Sequence, residues 1–536
     1  MQQPTPTGPF DAIIIGSGIG SLTTAVLLAR EQGKRVLVLD QHFTLGGQTH
    51  AFKRRGRFEF DVGIHYLGDM GKGMSRRLFD AVTEGQVEWQ PMPEEFERYV
   101  YPDFEYAVPS HPREYQRRLI ERFPLERAAI SQYFDDLRSA TTWYGLALSN
   151  DALPPLTRLP ARFLARTAGR LANVTLGSYL DRHFRSPQLK ALLASQWGDY
   201  GLPPGQVAFG MHAIVETHYW RGGWYPVGGA GKIADAMVAI IERHGGVAMA
   251  SRTVDEILVE RGRAVGVLCH HTIKPHLPPE TYRAPLIVSG AGAEVTYQHL
   301  LPASVNIPFR AELAAQSNGI SAVAVYLGLK ESPATLGVAG ENHWVYQGYD
   351  HDAAFAAGGT GHGYYLSFPS LKNPQAKGHT ADIITFAPYE LFESWAGGQW
   401  KKRGADYEAF KRQIADQLIA QVDQRLPGFA DLVAYVDVST PLSMQHFVGH
   451  RRGAFYGVPA TPARLFQPWT RVQSPVANLY LTGCDVMSAG VMGALSGGIK
   501  AAGVIDGSFG FVRLMQKLLQ QRGPAPQVAD LSRPVV

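Results

Sequence analysis

Ala12 to Ile15 is an unbroken apolar run, Ser21 to Gln32 carries apolar side chains at helical spacing, and RVLVLD is a second apolar run closing on Asp40. Short continuous runs of this kind read as parallel strands covered on both faces. Together they predict a βαβ unit. Further on, GGVAMASRTVDEILVERGRAVGVLCHH alternates about Arg261-Gly262, which predicts a hairpin with its turn there, and APLIVSGAGA reads as a buried strand entering a glycine turn. Leu479 to Leu481 predicts one more strand, followed by a glycine-rich helix start at Gly490 to Gly498. Between these lie the β-rich stretches RYVYPDFEYAV, SAVAVYLGL, GYYLSFPS and DIITFAP, which suggest a second sheet roofing a hydrophobic tunnel.

The turn inside the first unit carries chemistry. Gly16, Gly18 and Gly20, with Ser17 between, give G-x-G-x-x-G. The first glycine permits a tight turn, the second lets backbone approach a pyrophosphate, and the third lets helix and strand pack closely. The helix N-terminus then offers free N–H groups and a favourable dipole to the anion. Asp40, followed by Gln41, is placed to accept hydrogen bonds from a ribose, and its charge opposes a 2′-phosphate. FAD or NAD is therefore favoured over NADP. The following segment QHFTLGGQTHAF resembles the Gly-Gly segment of flavoprotein oxidases and desaturases, with Gly46 and Gly47 near the pyrophosphate and ribityl chain, which favours FAD. NLYLTGCDVMSAGVMGALSGGIKAAGVI resembles the second FAD signature of those proteins and implies roles for Gly483, Asp485, Gly493 and Ala494.

Composition narrows the partners. The chain has 536 residues, enough for two or three structural units, and Lys plus Arg (51) nearly balances Asp plus Glu (47), so nucleic acid is not an implied partner. Its two cysteines, Cys269 and Cys484, lack metal-ligand spacing and fit a reducing compartment, with the cytoplasm as the default. The N-terminus has no cationic-plus-apolar signal pattern, and no apolar run is long enough to predict a spanning helix. In 152–171, Arg158, Arg162, Arg166 and Arg170 recur at helical spacing among apolar residues, which reads either as a helix for peripheral contact with an anionic membrane or as an ordinary surface helix. YPVGGAGKIADAM is not a phosphate loop, since Ile233 stands where Ser or Thr is needed and Pro226 where the first glycine is needed. The histidines lack metalloprotease spacing, so no metal is assigned.

With these motifs placed, the chain resembles the flavin-dependent polyene desaturase, isomerase and saturase superfamily, and within it the retinol saturase branch. EFDVGIHYLGDM, GDYGLPPGQVAFGMHAIVETHYWRGGWYPVGGAGKIADAM, FAPYELFESW and QSPVANLYLTGCDVMSAGVMGALSGG carry the likeness. Gly63-Ile64-His65 departs from the Gly-Pro of phytoene desaturases and points to the saturase side. The resemblance implies an α/β architecture: a discontinuous Rossmann-type FAD-binding fold from residues 10–70, 225–300 and 473–510, with Val254 covering the adenine. An α+β substrate-binding domain with a mixed sheet is inserted as 71–224 and 301–472, and a C-terminal helix and tail span 511–536.

The resemblance also implies an FAD-dependent oxidoreductase acting on carbon-carbon double bonds of a conjugated polyene or isoprenoid lipid. Its electrons would come from a transient nicotinamide or a separate reductase. His65, Tyr66, His218 and Tyr219 are the catalytic candidates. Tyr200 is a further tunnel-lining candidate, Trp220 and Trp224 are candidate apolar walls, and Tyr389 and Glu390 form a weaker pair. Desaturation, cis-trans isomerisation, prenyl-lipid binding without redox chemistry and amine oxidation are the alternative readings.

Overall fold

The computed structural model describes residues 8–154, 169–316 and 319–521. Five strands from distant parts of the chain make one parallel sheet, in the order Val247–Met249, Val36–Leu39, Ala12–Ile15, Ile287–Ser289 and Leu479–Leu481. Every residue of Ala12–Ile15 and Val36–Leu39 is buried, as unbroken apolar runs require. The helices Ile19–Gln32, Gly231–Arg243 and Gly490–Ile505 contribute to a shared core on one face. The expected hairpin joins Arg252–Glu260 to Arg263–His271, and both turn residues, Arg261 (φ 50°) and Gly262 (φ 76°), adopt the left-handed conformation of a tight two-residue turn. Asp40 lies one residue past the second strand.

A second, seven-stranded sheet runs Val433–Ser439, Ala322–Leu329, His379–Phe386, Gly363–Ser367, Asn342–Tyr346, Glu95–Tyr101, Phe104–Pro109. All its pairings are antiparallel except that between Asn342–Tyr346 and Glu95–Tyr101, so the sheet is mixed. The four β-rich stretches read from the sequence all fall in it; Asn342–Tyr346 and Val433–Ser439 complete it. Helix Ala405–Arg425 covers one part through Ile414, Leu418 and Val422. The helices Pro112–Arg122, Arg127–Ser149 and Phe209–His218 build an aromatic-rich core at the other end. Most of the basic stretch 152–171 lies outside the described residues. Among the described residues no helix is long and apolar enough to cross a membrane.

The first and last parts of the parallel sheet meet backbone to backbone. A Cβ added at Gly20 would lie 2.4 Å from the Gly483 Cα and 2.9 Å from the Ala494 carbonyl oxygen, whereas one at Gly18 would meet nothing within 4 Å. Thr24 and Thr482 bridge the same junction through their hydroxyls at 2.8 Å. Gly20→Ala is therefore expected to lower the unfolding free energy by about 2–3 kcal/mol, because the clash is with backbone that cannot rotate away. Gly18→Ala is expected to change it by less than ~0.5 kcal/mol. Denaturant titration of the two variants measures both.

Candidate functional site

Asp40 organises the nucleotide-binding end. One carboxylate oxygen accepts from the Ser17 N–H and the Ser17 hydroxyl, both at 2.6 Å, and the other accepts from the His42 N–H at 2.7 Å. Ser17 Oγ in turn accepts from the Gly46 N–H at 2.9 Å. A single acidic residue thus fixes the first glycine turn against the Gly46-Gly47 segment. These residues open onto a cavity of about 1160 Å³, whose wall includes Gly16, Ser17, Gly18, Gly20, Asp40, Gln41, Gly47, Val254, Gly483 and Ala494. The open space at Gly18, the start of a 14-residue helix and the acidic ribose acceptor fit a dinucleotide such as FAD.

Not every expected residue reaches that wall. Gly46 stands behind it, Gly493 packs against the Ser488 backbone, and the Asp485 carboxylate accepts from the Ala293 and Val458 N–H groups at 2.7 and 2.8 Å. Asp485 therefore ties three loops together behind Gly483. His218 also turns away: its Nε2 accepts from the Gly68 N–H at 2.9 Å, and burial lowers its imidazole to about 4. Tyr200 points to His212, 3.1 Å away, and not into the cavity. Trp224 packs over Gly71, while Trp220 borders a separate small cavity.

The far end of the large cavity is aromatic, with Trp197, Trp344, Tyr365, Phe386 and Phe455 in its wall beside His65, Tyr66 and Tyr219. Tyr66 stacks on Tyr219 at 4.4 Å between ring centroids. Its hydroxyl sits between two carboxyl groups, within hydrogen-bond distance of Glu97 Oε1 and 2.7 Å from Asp199 Oδ2. A phenol has one proton, so it cannot donate to both. Glu97 accepts at Oε1 from the Trp344 indole N–H (3.0 Å) and at Oε2 from the Tyr99 hydroxyl (3.0 Å) and the Gln196 amide (2.8 Å). With Tyr66 as a fourth donor its acceptor sites are filled, the environment of an ionised carboxylate. Asp199 is then the protonated partner, whose O–H donates to Tyr66. Burial and the nearby Glu97 charge hold its carboxyl well above the usual range.

The Gly-Asp-Tyr-Gly block is legible in the sequence with Tyr200 as its candidate, whereas neither Asp199 nor Glu97 is a candidate there. Glu97 lies one residue before the β-rich stretch RYVYPDFEYAV, within strand Glu95–Tyr101, and alternation with buried Tyr99 and Tyr101 assigns it to the interior. A carboxylate at an interior strand position is the signal that pointed to it.

His65 sits at a second polar junction. Its Nδ1 lies 3.5 Å from Asp382 Oδ2, and among the described residues no donor reaches either Asp382 oxygen in good hydrogen-bond geometry. Beneath it, the Lys372 amine donates to the His65 carbonyl (3.0 Å), the Ser367 hydroxyl (2.7 Å) and Asn342 Oδ1 (2.5 Å). Asp61 accepts from the Tyr225 hydroxyl and from the Ala230 N–H at 2.9 Å, and burial raises its carboxyl to about 6. The stretch from Asp61 to Tyr66 therefore runs past a set of buried ionisable groups, Asp382, Lys372 and Glu97.

Comparison with known proteins places this architecture. Residues 14–82 match the model of an NAD(P)-binding Rossmann-like domain. The chain is 33% identical over 531 residues to an all-trans-retinol 13,14-reductase of Danio rerio, covering 92% of this chain and 86% of that one. It is also 33% identical to the Homo sapiens protein of the same name, covering 92% and 85%. A chloroplastic prolycopene isomerase of Arabidopsis thaliana is 25% identical over 85% of this chain and 76% of its own. Solved structures share the fold: putrescine oxidase bound to putrescine (TM-score 0.62, 13% identity, covering 94% of this chain and 100% of that one) and an oxidoreductase from Methanosarcina mazei (TM-score 0.60, 15% identity, covering 92% and 100%).

Burial lowers the Lys372 amine to about 7, against about 10.4 in an unfolded chain. Between those values the unfolded state binds more protons, so the amine costs stability near neutrality, and that cost fades as pH rises through the window. The wild type is expected to gain at least ~1 kcal/mol relative to Lys372→Met between about pH 7 and about pH 9.5, within a ceiling of about 1.4 kcal/mol per pH unit. Urea titrations of both proteins at the two pH values give the difference.

Proposed function

The chain belongs to the all-trans-retinol 13,14-reductase family, and from that premise we propose that it is an FAD-dependent oxidoreductase that reduces a carbon-carbon double bond of a conjugated polyene or related isoprenoid lipid. The observation that carries the reading is one cavity joining nucleotide-binding glycines to a half-buried carboxylic acid in an aromatic wall. A reduction needs a proton as well as an electron pair, and Asp199 is a neutral acid positioned to give one. One relative in the family is named an inactive all-trans-retinol 13,14-reductase, at 30% identity, so the activity rests on the site and not on membership.

Gly16, Ser17, Gly18, Gly20, Asp40, Gln41, Gly47, Val254, Gly483 and Ala494 would hold FAD, with Gly46, Asp485 and Gly493 supporting them from behind. When bound and reduced, FAD supplies the electron pair. We assign cofactor binding to residues 10–70, 225–300 and 473–510, and substrate binding to 71–224 and 301–472. The aromatic wall orients a flat polyene and excludes water, which raises the value of each polar contact left inside. Asp199 gives its proton to one carbon of the conjugated system. The resulting positive charge spreads along the chain under ring faces, which attract cations. Tyr66 then turns its O–H from Glu97 to the new Asp199 carboxylate and stabilises it. His65 stands at the same wall, held from beneath by Lys372. A transient nicotinamide or a separate reductase supplies the electrons, and a lipophilic substrate gives peripheral membrane contact through residues 152–171 a purpose.

The printed names of the relatives make all-trans-retinol the first substrate to offer. With reduced flavin the product is expected to gain two hydrogens by mass; unchanged mass with altered geometry would instead favour the isomerase reading suggested by the prolycopene isomerase relatives. Asp199→Asn is expected to retain FAD and lose at least ~100-fold in kcat, the scale of a missing general acid. Full activity in that variant would remove Asp199 from the mechanism.

A further inference from the structure

The large cavity is not the only one that touches the acid cluster. A second space of about 10 Å³, enough for roughly one water, lies on the other side of Tyr219, and Tyr99, Gln196, Glu216 and Trp220 help to line it. Tyr219 borders both cavities and separates them. Glu216, on helix Phe209–His218, is only 6% exposed, and no hydrogen bond or ion pair reaches its carboxyl among the described residues. A buried carboxyl without a partner is costly when ionised. Glu97 and Tyr99 face it from one strand, Tyr106 from the next, Tyr115 and Tyr133 from the covering helices, and Asp199 and Tyr200 from the Gly-Asp-Tyr-Gly turn. Each of these is an acid, so none of them offers a compensating positive charge. Burial and the neighbouring carboxyls raise Glu216 to about 8.

We infer that Glu216 and the small cavity form a proton inlet that recharges Asp199 after each turnover while substrate and cofactor block the large cavity. This rests on the reading that Asp199 donates the proton. Tyr99 lines the small cavity and donates to Glu97 at 3.0 Å, and Tyr66 joins Glu97 to Asp199. Loss of a proton to the substrate leaves Asp199 as carboxylate. Tyr99 passes its hydroxyl proton to Glu97 and takes one from Glu216 through a water in the small cavity. Glu97 then protonates the Tyr66 oxygen as Tyr66 gives its own proton to Asp199. Glu216 regains a proton from solvent, so one proton enters at Glu216 for each one added to carbon, and the electron pair comes separately from the reduced flavin.

Two measurements test the inlet, and only one depends on the substrate. Infrared spectra of the FAD-loaded protein at neutral pH should contain a neutral carboxylic acid band that disappears in Glu216→Gln and persists in Asp199→Asn. Absence of such a band overturns the proposal whatever the substrate is. With all-trans-retinol, Glu216→Gln should lower steady-state kcat about tenfold while the first turnover of pre-reduced enzyme and kcat/KM stay unchanged. Tyr99→Phe, which keeps the ring and removes the hydroxyl, should lower steady-state kcat at least as much, since it breaks the link to Glu97. A first turnover slowed as much as kcat in Glu216→Gln, or a kcat unchanged in both variants, overturns it. A wild type inactive on retinol counts against the substrate reading and leaves the infrared result to decide the inlet.

Discussion

Where helix Ile19–Gln32 meets helix Gly490–Ile505, backbone touches backbone, and no side chain larger than hydrogen fits at Gly20. This contact closes a sheet whose strands lie as far apart in sequence as Ala12 and Leu481. The long segments between its strands must leave the parallel sheet and return to it. The inserted chain therefore emerges on one side and folds into the seven-stranded roof. The large cavity is the space between the two sheets, and the glycine turns are placed at its edge by the same packing that joins the termini.

Within that space, chemistry is set by how the protein distributes hydrogen-bond donors among buried carboxyls. Glu97 and Asp199 share the Tyr66 hydroxyl. Glu97 also receives an indole N–H, a second phenol and an amide, so its charge is solvated by protein. Asp199 has the shared phenol and a neighbouring negative charge, and it stays neutral. Burial raises both carboxyls, but Glu97 has four donors against the rise and Asp199 only the shared phenol, so Asp199 is the one held well above the usual range.

The fold was largely legible because its signals are local. Unbroken apolar runs, a G-x-G-x-x-G turn and alternation about Arg261-Gly262 each lie within a few residues, and each is found where periodicity places it. Asn342–Tyr346 and Val433–Ser439 were not read as strands; the first pairs in parallel with Glu95–Tyr101, a nonlocal partner that no short window contains. The site was legible only in part for the same reason. Tyr66 meets Glu97 and Asp199 across 31 and 133 residues, and which of Asp199 and Tyr200 faces the cavity depends on one short turn, Ser195–Asp199. His218 and Tyr219 are neighbours in sequence, yet the helix ends there, and one turns to the Gly68 backbone while the other reaches the wall.

The same frame carries oxidases and, in this family, reductases, so the scaffold does not set the direction of electron flow. What the protein adds locally is the proton inventory beside the reacting carbons. Removal of hydrogen from a substrate calls for a group able to accept a proton; addition calls for one able to give it. A carboxyl at the cavity wall that is kept neutral by burial, by a charged neighbour and by a phenol already committed elsewhere is suited to giving. Glu97 serves that arrangement without touching the cavity: by holding its charge in a full set of donors, it raises Asp199 and keeps the acid loaded. In the proposed reduction, direction follows from which of two adjacent carboxyls the surrounding side chains leave short of donors.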